Sequence, residues 1–279
     1  MDTKDTELLS GLTLEFETPR SDQWRIGQWG PGGGHALAPP AGGPPADAAV
    51  AAIATRDAPA CLFRPLHYEP RYEYPLLVWL HDCGEDERIL RRVMPEISMR
   101  NFAGVAPRGV AAATTKWLAA APSAQGFDWP ESREARALAS QRVDACLAMA
   151  ARTVSFRRDR VFLGGCGAGG TLALELAFAA PDRFAGVASV EGSVPKGRPW
   201  LSRLADARGL PVLLAAGSQR QSPAGLEMPP AALAHEFLAD QRLLFAAGAR
   251  LTVFEACESE PSAPFAEINR WIMRLIGAC

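Results

Sequence analysis

The stretch from Val161 to Gly192, VFLGGCGAGGTLALELAFAAPDRFAGVASVEG, reads as an apolar strand, a sharp glycine turn, a helix and a second apolar strand. A strand that returns through a helix to a parallel neighbour makes a right-handed crossover, and sheets built that way are covered on both faces. The same alternation runs along most of the chain. YPLLVWLHD, Tyr74 to Asp82, is a continuous apolar run ending in turn residues, as expected of a strand buried on both sides. ERILRRVMPEISMRN reads as a short helix carrying Pro95, and FAGVAPRG as the next strand. A long helix follows from Glu131 to Val154, where Val143, Leu147, Ala150 and Val154 form one apolar stripe. Further strands are read at Val161 to Gly165, Phe184 to Gly192, Leu210 to Ser218 and Leu251 to Ala256, with helices at Gly170 to Ala180, Ala231 to Ala247 and Pro264 to Ile276. The pattern predicts an α/β three-layer sandwich around a mostly parallel central sheet.

The 279 residues, 48% hydrophobic and 22% charged, can bury one sizeable core. Three regions are expected: an N-terminal strand region over 1–29 containing LTLEFETPR, a flexible Gly/Pro/Ala-rich segment over 30–58, and the α/β domain over 59–279. A net charge of -2 offers no general attraction for nucleic acid or an anionic membrane, so neither is expected as a partner. MDTKDTELLS lacks the apolar core of a signal peptide, which makes the cytoplasm the expected location. The six cysteines, Cys61, Cys83, Cys146, Cys166, Cys257 and Cys279, show no metal-type or redox-type spacing. They read as reduced thiols, and no metal or cofactor is expected.

The glycine turn is where chemistry would sit. Gly165-Cys166-Gly167-Ala168-Gly169 has the outline of G-x-S-x-G, in which a serine stands on a strained strand-to-helix turn, but Gly167 occupies the serine position. The same residues, extended to Gly170, also satisfy G-x-G-x-x-G, with Glu191 at about the spacing of a ribose-binding acid. That dinucleotide reading wants the first strand of its unit, whereas here α/β units precede the turn.

WLHD after one strand, APRG after the next, FDWPES before the long helix, the Val161–Gly192 run, and LPVLLAAGS followed by AAGARLTVFEA together resemble the α/β-hydrolase fold. The similarity is to the phospholipase/carboxylesterase and feruloyl-esterase-like branch, and it covers about Cys61 to the C-terminus. The resemblance implies a nucleophile at Gly167, an acid near Arg220 and a histidine near Glu260, and this sequence departs from the pattern at all three. It also implies an oxyanion hole from the backbone N–H of Ala168 together with that of Asp82 or Cys83. Asp82 stands where a glycine is usual, and is read here as making an Asx turn.

Arginine and glutamate cannot serve as carboxylate and imidazole in a triad. None of the four histidines, His35, His67, His81 and His235, follows the last strand. The expectation is therefore an esterase homologue that has lost catalysis and binds a small molecule or a protein. Two alternatives remain: a thiol hydrolase using Cys166 or Cys83 with His81, and a dinucleotide-binding protein using Gly165 to Gly170.

Overall fold

The computed structural model describes residues 50–54, 59–111, 126–195, 204–216, 230–256, 260 and 262–277. Ten strands are present among them: β1 (Val50–Ala54), β2 (Pro59–Phe63), β3 (Tyr74–Leu80), β4 (Ala103–Pro107), β5 (Val110–Ala111), β6 (Phe127–Asp128), β7 (Phe156–Cys166), β8 (Gly186–Val190), β9 (Pro211–Ala216) and β10 (Arg250–Glu255). The helices are α1 (Leu90–Ile97), α2 (Arg133–Thr153), α3 (Gly167–Ala179), α4 (Pro230–Ala246) and α5 (Ala263–Gly277). Eight strands form one sheet in the order β1-β2-β4-β3-β7-β8-β9-β10, and β5 and β6 make a small separate ribbon. β2 pairs antiparallel with both β1 and β4, and every pairing from β4 to β10 is parallel.

Period-two alternation along the strands divides the side chains between two cores. On β3, Tyr74, Leu76, Val78 and Leu80 face one core while Leu77 and Trp79 face the other. The first core is closed by α2, α3 and α4 through residues such as Val143, Leu174 and Leu244, and the second by α1 and α5 through Met94, Ile97, Ile268 and Trp271. This is the expected three-layer sandwich. α3 is buried on almost every side, which is why its sequence is apolar without an amphipathic stripe.

Local chemistry explains where the helices begin. Ser132 caps α2, its hydroxyl accepting the Ala135 N–H at 3.1 Å, and the Asp86 carboxylate accepts the Arg88 N–H at 2.8 Å to start the 3-10 turn Glu87–Ile89 that leads into α1. The buried stripe of α2 contains Val143 and Ala150 as anticipated, joined by Ala139, Cys146 and Met149.

Several boundaries differ from the sequence reading. α3 starts at Gly167, three residues before the expected Gly170, because the glycines of the turn are themselves the first helical turn. β7 starts at Phe156 and takes in the charged FRRDR segment. β1 lies inside the stretch read as flexible, so the sheet extends beyond the domain boundary expected at 59. LTLEFETPR lies outside the described residues. Among those described, no helix is long and apolar enough to cross a membrane.

Candidate functional site

β3 and β7 are parallel neighbours with Leu80 opposite Gly165, so the turns that follow them emerge side by side at the carboxyl end of the sheet. On the β7 side the chain turns at Gly167 with φ 48°, the left-handed region that disfavours any residue with a Cβ. Close approach is possible because Gly169 has no side chain: a Cβ there would strike the backbone carbonyls of Leu80 and His81. α3 therefore leans directly on the end of β3.

On the β3 side, Asp82 turns into this corner. Its Oδ1 accepts two backbone hydrogen bonds, from Cys83 N–H at 2.7 Å and from Ala168 N–H at 2.8 Å. The expected Asx turn is not what the side chain makes: it bonds its immediate neighbour and the first turn of α3, across a gap in sequence. A Cβ built on Gly167 would fall on Oδ1, Cγ and Oδ2 of Asp82, so this carboxylate fills the space in which an apex side chain would begin. The Asp82 N–H is itself donated to Glu85 Oε2 at 3.1 Å. Of the two expected alternatives, it is thus Cys83 whose N–H converges with that of Ala168. Burial pushes the Asp82 carboxyl above its ordinary value, against the opposing pull of its two N–H donors.

His81 lies directly beneath, fully buried. Gly109 donates its N–H to Nε2 at 2.9 Å, so Nε2 is the unprotonated nitrogen and Nδ1–H donates to the Asp82 carbonyl at 2.7 Å. The Trp129 indole N–H donates to the His81 carbonyl at 2.9 Å, and the two rings meet at a tilt of 33° with centroids 4.8 Å apart. Burial holds the His81 pKa below the ordinary histidine value. Both ring nitrogens are spent on backbone groups, and the ring acts as a neutral strut between the β3 loop and the loop after β4. That second loop is fastened by Arg108, whose guanidinium makes two 2.6 Å bonds to the buried Glu87 carboxylate and covers the Phe127 ring.

The thiols stand nearby without activation. Cys83 is pushed up to about 12, chiefly by burial and then by Asp128 and Asp82. Cys166, at the N-terminus of α3, is raised well above its ordinary value by burial and by the surrounding acids. Glu191 follows β8 at φ 58°, its N–H donated to Ala215 at 2.8 Å. Glu260 is exposed ahead of α5, and Arg220 lies outside the described residues. Glu85 and the buried Asp128 are further acids here; the acidic run Asp82-Cys83-Gly84-Glu85-Asp86-Glu87 is the sequence signal for Glu85, and Asp128 has none beyond its place in FDWPES. Among the described residues, no group of three or more histidines, cysteines and carboxylates is placed to hold a metal.

No family model and no curated protein matches the chain. Solved structures do. A carboxylesterase from Mesorhizobium loti superposes with a TM-score of 0.57 at 19% identity, covering 80% of this chain and 98% of that one. A ferulic acid esterase gives 0.56 at 13% identity over 78% and 92% of the two chains. An S-formylglutathione hydrolase from Staphylococcus aureus gives 0.55 at 12% over 82% and 98%. The chain has the α/β-hydrolase fold.

In the hydrolase fold, the β7–α3 turn and the loop after β3 are the two walls of the catalytic corner. Here the first wall carries a glycine at its apex and the second carries a carboxylate pointed inward. The fold also places the glycine run of the dinucleotide alternative. β7 lies at the centre of the sheet with β3 and β4 before it in sequence, and Gly169 packs against the β3 backbone. In the first turn of α3 the Ala168 N–H is bonded to Asp82.

Proposed function

We propose that this α/β-hydrolase-fold esterase homologue no longer performs acyl transfer and works as a binding or scaffold protein for a small molecule or a protein. The observation that carries the reading is the Asp82 carboxylate bonded to both Cys83 N–H and Ala168 N–H beside a glycine apex. Acyl transfer requires those donors to face a developing oxyanion, and a resident anion of the same sign opposes it there. It also requires a nucleophile with a base in reach, and His81 has no nitrogen to spare. The cytoplasm is proposed as the place of action, supported by the four described cysteines, which are all unbridged.

The test is direct. Purified protein should hydrolyse short-chain nitrophenyl esters no faster than buffer, and a serine-directed fluorophosphonate probe should leave it unlabelled. Turnover that vanishes in Cys83→Ala or Cys166→Ala would establish a thiol hydrolase instead. Turnover that survives both would show that a nucleophile elsewhere in the chain reaches the corner.

A further inference from the structure

We propose that the cavity between α2 and the far end of α3 binds a small apolar monocarboxylate, its charge held among Arg133, Arg136 and Arg183 and its body against Leu176 and Phe184. α3 starts at Gly167 in the corner and ends at Ala179, so the cavity lies about the length of that helix, roughly 18 Å, from the glycine apex. Arg133, Ala137 and Ser140 follow at i, i+4 and i+7 on α2, and Arg136 stands four residues before Ser140. That spacing brings all four to one helix face, the face that lines the cavity. Arg183 approaches from the turn after α3. Its guanidinium donates to Asp144, reaches Ser140 Oγ at 3.5 Å and lies 5.2 Å from the centre of the Phe184 ring.

Three guanidiniums line this cavity and no carboxylate does. The acids of the neighbourhood, Glu131, Glu134, Asp144, Glu175 and Asp182, stand outside its lining. Asp144 is bonded to Arg183, Glu134 is bonded to the Ser132 cap, and Glu131 offers Arg136 its carbonyl at 2.6 Å. Glu175 lies 3.8 Å from Arg136, and burial raises its carboxyl to about 7. A guanidinium is a planar fork of donors that matches a carboxylate, and away from the arginines the wall is apolar. The volume of about 220 Å³ falls below the roughly 300 Å³ at which drug-sized pockets begin, which limits the body to one ring or a short chain. A free phosphate would leave the apolar wall unused, and a neutral ring would gain nothing from the cations. This site is separate from the corner and stands whether or not the chain turns over an ester.

Amide resonances of the full-length protein, titrated with millimolar sodium benzoate at neutral pH, provide the readout. Those of Ala137, Ser140 and Ala180 should shift saturably with one shared midpoint, while Cys83 and Ala168 in the corner stay still. Benzyl alcohol carries the ring without the charge and inorganic phosphate the charge without the ring, and neither should give a saturable shift at the same concentrations. Arg133→Gln, at an exposed position, should weaken benzoate binding roughly tenfold. Ala137→Leu extends a side chain over the cavity from another exposed helical position and should abolish the response with every arginine retained. A parent whose cavity amides do not respond to benzoate, or respond as strongly to benzyl alcohol or phosphate, overturns the proposal. So does unchanged affinity in either variant, and shifts confined to Cys83 and Ala168 would move the acid to the corner and overturn it too. Ester hydrolysis measured on the same samples bears on the proposed function and leaves these readings untouched.

Discussion

The two turns that meet at the carboxyl end of β3 and β7 differ in what each presents to the corner. At the β7–α3 turn the backbone keeps a left-handed apex at φ 48° but offers no side chain. At the β3 loop the side chains of His81 and Asp82 are both ionisable, yet each is engaged with backbone groups. A residue's capacity for chemistry is decided by which of its atoms are left free. His81 has both ring nitrogens bonded to backbone groups, and only the structure shows that.

The comparison breaks most severely where the two turns touch. In Gly169→Ala the new methyl group would collide with the Leu80 and His81 carbonyls, and backbone cannot swing aside as a flexible side chain can. We expect a loss of about 3 kcal/mol, the upper end of the cost of overpacking. A urea midpoint at unchanged m-value measures it. A cost near zero would show that α3 does not lean on β3.

His81→Phe comes next and asks whether the ring is a strut. Phenylalanine keeps the ring contact with Trp129 but strands the Gly109 N–H and leaves the Asp82 carbonyl with the Glu85 N–H alone, at an expected cost of about 2 kcal/mol. The parent should carry a pH signature that this variant lacks. The folded pKa of His81 is depressed, so below about 6.5 the unfolded chain binds more protons than the native one. Stability from this group is present above that value and falls away as pH drops toward the folded pKa. A variant whose acid-side slope matches the parent's would mean that His81 is not held neutral.

Gly167→Ser tests the opposite wall. Serine must adopt positive φ and its Cβ must displace the Asp82 carboxylate, so the expected loss is on the order of 2 kcal/mol, with no ester turnover gained. Placing the same change in an Asp82→Ala background should recover about 1 kcal/mol, because only backbone strain then remains. Strict additivity would deny that the two positions share space.

How much of this was legible beforehand divides along the same line. β3, β9 and α2 could be read because an apolar run or a 3.6-residue stripe is a local signal. The small ribbon of β5 and β6 was missed because two-residue strands carry no periodicity, and β1 because its pairing with β2 is a tertiary choice overriding a disorder-prone neighbourhood. At the corner, the missing side chain at Gly167 was visible as a letter in the sequence. The direction of Asp82 was not, since an Asx turn and a bond across to α3 begin from the same residue type. His81 could be counted but its hydrogen bonds could not, because Gly109 arrives from a loop 28 residues away.

The smallest expected effect lies behind the corner, on α3 itself, and it runs against the His81 slope. Glu175 is buried on a helix that is otherwise apolar, and burial raises its carboxyl to about 7 although the Arg136 guanidinium lies 3.8 Å away and opposes the shift. Between the ordinary value of 4.5 and about 7, the native state holds a proton there that the unfolded chain has lost. Native proton binding therefore exceeds unfolded binding in that window, and stability from this group is full below it and declines as pH rises through it. Glu175→Gln removes the titration while keeping the shape and a hydrogen-bonding tip. The variant should gain on the order of 1 kcal/mol relative to the parent on passing from below pH 4.5 to above pH 7, after allowance for solvent screening and the lost ion pair. Denaturant midpoints measured across that range would show it. A parent and variant that stay parallel would mean that Arg136 already neutralises the carboxylate.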